Sequence, residues 1–266
     1  MDPSRARALV ALDNSFYAAN AAAFSQTRTA PWDGWRRVLE TLPGPAPSSL
    51  DVLDVAAGNL RFERFCAAAL PGVEMRAVAV DACDELAAPA AEELPWVEYH
   101  RWDVLAALLD KGMCGAEALG ATPAAFDLAA CFGFMHHVPG RKARTSLLKA
   151  LVDAARPGGT VAVSLWRFLD DERLAGKARE ATERARRSPA VADLVGALEP
   201  GDALLGWQDE ADAFRYCHSF SDDETDDLVR AVEAHADVVA RFSADGNSGR
   251  LNTYLVLRRH PEETPC

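Results

Sequence analysis

Four segments of the sequence each set an acidic side chain, a glycine or an imidazole pair directly behind a short apolar run. The first, Leu53-Asp54-Val55-Ala56-Ala57-Gly58-Asn59-Leu60-Arg61, gathers small residues into a tight strand-to-helix turn, where a missing side chain lets a ligand touch the backbone. The second, Val78-Ala79-Val80-Asp81-Ala82, carries a carboxylate about 23 residues beyond Gly58, the interval at which an acid can accept both hydroxyls of a ribose. The third, Trp102-Asp103-Val104, offers a carboxylate for an adenine amino group, a neighbouring backbone amide and a large apolar wall. The fourth, Phe132-Gly133-Phe134-Met135-His136-His137, puts two imidazoles beside the place where a reacting atom would lie. A dinucleotide fingerprint needs more glycines than Gly58 alone. The set therefore describes a pocket for an adenosine bearing a charged amino-acid tail.

These segments need elements to hold them. From residue 50 the chain alternates short apolar runs with helical patterns, the signature of βαβ units. Strands are predicted at Asp51–Val55, Met75–Val80, Val97–Arg101, Phe126–Cys131 and Thr160–Leu165, and their nearly continuous apolar character suits a parallel sheet buried on both faces. Helices fall between them at Arg61–Ala69, Ala87–Glu93, Val104–Lys111 and Lys142–Ala155, the last stopped by Arg156-Pro157-Gly158-Gly159. Two further strands, Val238–Phe242 and Thr253–Arg258, flank a turn-rich loop and form an antiparallel hairpin at the edge. The expectation is an α/β fold with a doubly wound, Rossmann-like, mostly parallel seven-stranded sheet. Ahead of it, Ser4–Phe24 reads as one helix or two, with Asn14-Ser15 as the weak point, and Asp33–Leu42 as a helix capped by Asp33. The run Pro43–Ser49 ends this preface. A charged helical stretch, Asp170–Arg187, and an irregular passage to Trp207 interrupt the sheet after its fifth strand, and Ser221-Asp222-Asp223-Glu224 is a capping box opening a helix to His235. The resulting division is an N-terminal helical cap at 1–49, a main domain at 50–259 with a helical insertion at about 167–220, and a frayed tail at 260–266.

With these tips in place the sequence resembles the class I S-adenosylmethionine-dependent methyltransferases. Within that group it is similar to the tRNA wobble-uridine methyltransferases that esterify 5-carboxymethyluridine. The resemblance is carried by Phe24-Ser25-Gln26-Thr27-Arg28 with Pro31-Trp32, His136-His137 with Arg141, Arg156-Pro157-Gly158-Gly159 leading to Leu165-Trp166, Arg215-Tyr216-Cys217-His218-Ser219-Phe220, and Asp245-Gly246-Asn247 followed by Asn252-Thr253-Tyr254. It implies S-adenosylmethionine as cofactor, held by Asp54, Ala56, Gly58, Asn59, Asp81, Ala82, Asp103, Val104 and Phe132. It implies His136, His137 and Arg28 at the reaction centre, with Trp32, Trp166, Arg215, Tyr216 and His218 around the acceptor. For some similar enzymes a small activating subunit is required. The family's first motif carries three glycines, and here Ala56 and Leu60 stand in two of those places.

Several residues admit a plainer role. Asp54 and Asp103 can cap helices, Trp32 and Trp166 can be core aromatics, and Arg28 can make a surface ion pair. Arg215, Tyr216 and His218 can be structural. Adjacent histidines cannot easily share one metal centre, so no metal is expected at His136 and His137 despite the nearby Cys131. A carboxylate acceptor is already ionised at neutral pH and needs no base, whereas a hydroxyl or amine acceptor would make His136 or His137 the base. Charge bears on the acceptor: 28 Lys and Arg against 40 Asp and Glu leave a net −12, a surface that repels phosphate backbones. DNA is excluded as a partner on that ground, and the acidic run from Asp209 to Asp227 reads as a solvated face. The basic residues of Asp170–Arg187 are interspersed with acids. An RNA-borne carboxylate, a small-molecule O- or N-acceptor, and a non-catalytic cofactor-binding regulator all remain open. The 6 cysteines lack ligand spacing, no secretory leader is seen, and no apolar run reaches the ~20 residues of a membrane span, so a cytoplasmic protein without a membrane partner is expected.

Overall fold

The buried, β-rich runs pair as a sheet whose order carries the site. The computed structural model describes residues 1–44, 47–207, 210 and 212–261. The strands β1 (Ser49–Val55), β2 (Glu74–Asp81), β3 (Val97–Arg101), β4 (Phe126–Cys131) and β5 (Ala155–Trp166) are mutually parallel. The last two, β8 (Ala236–Ala244) and β9 (Asn252–Arg259), join antiparallel, giving a seven-stranded sheet in the order β3-β2-β1-β4-β5-β9-β8. Order reverses between β1 and β4, and in an open α/β sheet that reversal opens a crevice beyond the strand ends. All of β4 is buried, as a central strand covered on both faces must be.

Helices α3 (Arg61–Ala69), α4 (Asp84–Ala91), α5 (Val104–Leu109) and α6 (Arg141–Ala154) follow β1 to β4 in turn. Helix α4 begins three residues earlier than its apolar pattern predicts, because Asp84 and Glu85 in its first turn complement the helix dipole. Helix α1 (Pro3–Gln26) is one unbroken helix, with Asp2 accepting from the Ser4 and Arg5 amides. Asn14 does not interrupt it, since its side-chain amide is drawn to Asp103 at 3.1 Å. Asp33 is not a cap: Trp32 holds the extended cap position, and Asp33 opens α2 (Asp33–Leu39), which ends short of the predicted Leu42.

The insertion is not purely helical. After α7 (Glu172–Arg187) and α8 (Ala192–Val195), strands β6 (Asp202–Gly206) and β7 (Phe214–His218) form a separate antiparallel pair. All five residues of β7 are buried, with α1 packed against it, so the alternation that would announce a half-exposed strand is missing. The capping box at Ser221 and Glu224 is present, but α9 (Asp222–Arg230) passes into turns before His235. Of the predicted tail and loops, 262–266, Pro45, Ala46 and Asp209 lie outside the described residues.

One buried knot ties the cap to the hairpin. Asp245, with a left-handed φ of 67°, accepts from the Gly34 amide at 3.1 Å, from Asn252 at 2.8 Å and from the Tyr254 hydroxyl at 2.7 Å. A Cβ on Gly34 would lie 2.2 Å from the Tyr254 ring, which is fully buried. Gly34→Ala is expected to destabilise the fold by about 2 kcal/mol through overpacking, read as a melting midpoint lower by roughly 5 °C. An unchanged midpoint would show that the knot can relax freely.

Candidate functional site

A cavity of about 760 Å³ opens at the switch point, large enough for a nucleoside-sized ligand and a second small group. The tips of β1 to β4 form one wall, and α1, the Phe24–Trp32 segment, Trp166, Arg215 and the Asp245–Asn252 loop form the other.

The floor is the bend after β1. Ala56, Gly58 and Leu60 all have left-handed φ, at 59°, 58° and 54°. Such a bend normally calls for glycine, and each L-residue in it costs about 1–2 kcal/mol. Leu60 is completely buried and Asp81 accepts from the Gly58 amide at 2.8 Å, two contacts that hold the bend against that cost. The other Asp81 oxygen accepts from the Cys83 amide at 2.8 Å. Each carboxylate oxygen keeps a free lone pair, so a pinned Asp81 can still accept two ribose hydroxyls. Ala82 lies beside it on the wall. A Cβ on Gly58 meets no protein atom within 4 Å, so the space above it belongs to the cavity.

Beneath the bend lie two buried carboxyls. Burial raises Asp54 well above the carboxylate range, and the neighbouring Glu63 adds to the effect. Burial likewise pushes Glu63 up to about 7. Asp54 faces the cavity and Glu63 stands behind it on α3. With Asp81, Glu85 and Asp103 on the same side, this end suits a cation.

Asp103 is indeed a cap: one oxygen accepts from the Ala106 amide at 2.8 Å and the other from Asn14. It still borders the cavity, as does the buried Val104 that opens α5. Asn59 reaches away from the floor, donating to Ser25 Oγ at 3.1 Å and to the Arg28 carbonyl at 3.0 Å, and so fastens the Phe24–Arg28 segment over the site. Phe132 is a core aromatic, edge-on to Phe62 at 4.8 Å, whose inner side reaches the cavity.

The opposite end is cationic. Arg215 is 8% exposed, its Nε and Nη1 are buried without a hydrogen-bond partner, and its guanidinium lies over Phe16 and Trp207 at 5.2 and 5.3 Å. Burial and the nearby Arg215 lower Arg28, which sits over Phe24 at 4.6 Å. Burial also lowers Arg61 to about 10, and its Nη1 donates to the Ala30 carbonyl at 2.7 Å. None of the three forms an ion pair with a carboxylate among the described residues. Trp32 and Trp166 are both walls, the second standing 4.9 Å from the His136 ring. Burial holds His136 well below the ordinary imidazole range, so it is neutral.

Two expectations fail. Tyr216 and His218 do not reach the cavity: Tyr216 donates to Asp202 at 2.7 Å, and His218 bridges Asp202 at 2.7 Å and Glu224 at 2.9 Å. Side chains alternate along β7, so Arg215 and Cys217 face the cavity side while Tyr216 and His218 lock β7 to β6 and α9. Sequence reasoning also missed Asp13, Tyr17 and Glu63, which lie near the site on helices with no motif around them. Only the Asp13-to-Tyr17 interval, one helical turn, marked a shared face. His136, His137 and Cys217 bring possible metal-ligand atoms within 4.8 Å of one another. Both nitrogens of His137 are already engaged, Nδ1 by Asp13 and the Tyr216 carbonyl and Nε2 by Tyr17, which leaves that ring no lone pair for an ion.

No protein-family model and no curated protein matches the chain. Solved structures do. A S-adenosylmethionine-dependent methyltransferase from Methanosarcina mazei superposes with a TM-score of 0.60 at 13% identity, over 85% of this chain and 98% of that one. The fold is that of these methyltransferases. A 1,6-didemethyltoxoflavin-N1-methyltransferase from Burkholderia thailandensis, with 1,6-didemethyltoxoflavin and S-adenosylhomocysteine bound, gives a TM-score of 0.60 at 19% identity over 98% of this chain and 91% of that one. A putative methyltransferase from Haloferax volcanii, in complex with the Trm112 methyltransferase activator, gives 0.57 at 12% over 95% and 99%. Among the described residues no helix is long and apolar enough to cross a membrane.

Two outcomes follow for the floor. Gly58→Ala is expected to weaken S-adenosylmethionine binding at least tenfold by calorimetry, because its Cβ points only into the cavity, while the fold loses about 1 kcal/mol. Glu63 has a folded pKa raised above its unfolded one, so its contribution is full at acid pH and is lost as pH rises through about 7. The melting midpoint of the wild type should therefore fall between acid and mildly alkaline pH, by up to about 3 kcal/mol of stability. Glu63→Gln should lessen that slope, and a wild-type midpoint indifferent to pH would contradict the raised Glu63 carboxyl.

Proposed function

We propose that the protein is an S-adenosylmethionine-dependent methyltransferase acting on a carboxylate, with the side chain of 5-carboxymethyluridine in tRNA as the named acceptor. The cofactor supplies a methyl group already activated on a positive sulfur. On this reading the carboxyls of Asp54 and Asp81 hold its amino-acid and ribose ends, Gly58 admits it to the backbone, and Asp103 with Val104 borders the adenine. The helices before residue 49 are a cap over a methyltransferase domain at 50–259, and the cap and the domain enclose the acceptor between them.

The observation that carries the choice of acceptor is Arg215: a cavity-lining residue more than nine-tenths buried, whose guanidinium forms no ion pair with a carboxylate among the described residues, with Arg28 beside it. Leaving such a buried cation without a counter-charge is costly, and an incoming carboxylate is a group that supplies one. A carboxylate is ionised at neutral pH, so no base is needed. Alignment behind the methyl group supplies the acceleration.

A small-molecule carboxylate is the second reading. It is favoured by the net charge of −12, which disfavours a phosphate backbone, and by a cavity whose size admits a compact acceptor. Labelled-methyl transfer to total tRNA and to a metabolite pool, with and without a small activating subunit of the kind seen in the Haloferax volcanii complex, separates the two. Label in tRNA supports the first, label only in metabolites the second, and binding without transfer to either would leave a regulatory protein. Arg215→Met keeps the packing on Phe16 and Trp207 and removes the charge. It is expected to raise KM for the acceptor roughly 10- to 100-fold with S-adenosylmethionine affinity unchanged. A weakened cofactor and an unchanged acceptor KM would place Arg215 on the wrong ligand.

A further inference from the structure

Behind the acceptor end runs a chain of buried polar groups that methyl transfer to a carboxylate does not itself require. Asp13, on α1, is 4% exposed and accepts from the Tyr216 amide at 2.6 Å through one oxygen and from His137 Nδ1 at 2.8 Å through the other. His137 Nδ1 also lies 2.9 Å from the Tyr216 carbonyl. Facing two acceptors, Nδ1 must carry a proton. Nε2 stands 2.8 Å from the hydroxyl of Tyr17, one turn beyond Asp13 on the same face of α1. Tyr17 is edge-on to Phe24 at 5.2 Å and borders the cavity together with Arg28 and Arg215.

The direction of the Tyr17–His137 hydrogen bond decides what the cavity receives. If His137 is neutral, Nε2 accepts from Tyr17, and the phenol oxygen can only accept from a substrate. If His137 is protonated, Nε2–H donates to Tyr17, and the phenol O–H is left to point into the cavity. Burial opposes the charged ring and the buried Asp13 carboxyl, hydrogen-bonded to Nδ1 at 2.8 Å, favours it; the balance carries His137 well above the ordinary imidazole range. Also facing it are Cys217 Sγ, 4.0 Å from Nδ1, and the neutral His136 ring at 4.2 Å, while Arg215 on β7 acts on both Asp13 and Tyr17. Burial raises Tyr17, which keeps its proton.

Resting on the carboxylate reading above, we propose that Tyr17 is a third donor to the acceptor carboxylate, alongside Arg28 and Arg215, its O–H turned into the cavity by the Asp13–His137 pair. Tyr17 touches the acceptor. Asp13 and His137 are positioning residues that fix which way the phenol points, and no proton changes place in the transfer. The arrangement also selects, because two carboxylate oxygens can accept from three donors at once and an amine with a single lone pair cannot.

The test compares the wild type with Tyr17→Phe, which preserves the packing, and Asp13→Asn, which preserves the shape. Calorimetry with S-adenosylmethionine is the check on folding, and 5-carboxymethyluridine, free and in tRNA, is the probe in methyl transfer. Tyr17→Phe is expected to raise acceptor KM about tenfold or more with kcat less affected. Wild-type kcat/KM should fall on the alkaline side as His137 loses its proton. Tyr17→Phe should erase that limb, and Asp13→Asn should move it to lower pH. Nitrogen-15 spectra of the imidazoles in the S-adenosylhomocysteine complex, which need no acceptor, should show His137 protonated on both nitrogens at neutral pH. A neutral ring, an acid limb in place of the alkaline one, or an unaltered Tyr17→Phe enzyme overturns the assignment of Tyr17 alone. A wild type that methylates neither form of the probe, nor any other carboxylate, overturns the acceptor reading and this assignment with it.

Discussion

The hydrogen bond from the Gly58 amide to Asp81 is the constraint on which the site rests. It joins the bend after β1 to the end of β2, and it holds three left-handed residues in a turn that only one of them, as glycine, adopts freely. Were the bend to relax, Ala56 and Leu60 would seek ordinary backbone angles, the floor would rise and the crevice at the switch point would close. The strain is carried by burial of Leu60 and by a carboxylate that keeps lone pairs free for a ligand. On the proposed function, a structural contact and a binding group are the same side chain.

From that floor the cavity is polarised. Carboxyls gather on the β1–β3 side, while Arg28 and Arg215 stand at the other end without carboxylate partners among the described residues. The net charge of −12 makes this inner cationic patch stand against the general field of the surface. Such an arrangement attracts a positive ligand to one end and a negative one to the other, and brings the two into line. Positioning of this kind is the main thing a protein can add when the transferred group is already activated.

Much of this was legible in the residues. The seven strands, the switch point and the acidic tips follow from apolar runs ending in Asp or Gly, because a central parallel strand has to be apolar throughout and must stop at a turn. Asp54, Gly58 and Asp81 could be picked out for the same reason. Less legible was whatever depends on which face a short buried strand shows. Arg215, Tyr216 and His218 are neighbours in sequence, and only pairing with β6 reveals that the first looks into the cavity and the others away from it. Asp13 and Tyr17 carry no local signal because their partners are about 120 residues or more distant along the chain. Asn59 borders the cavity as expected of a cofactor contact, and it is also a tether to Ser25 and Arg28, a role set by the lie of the cap over the sheet.

Helix α1 touches both ends of the cavity. Asn14 bonds Asp103 at the acidic end, and within one turn on either side of it Asp13 and Tyr17 bond His137 at the cationic one. A rigid rod gripping two subsites cannot move for one without moving for the other. Occupancy of either subsite therefore changes the free energy of filling its neighbour, and by the same amount in both directions. On the function proposed above the two ligands are methyl donor and methyl acceptor, and the element that would couple them is a helix of twenty-four residues outside the sheet.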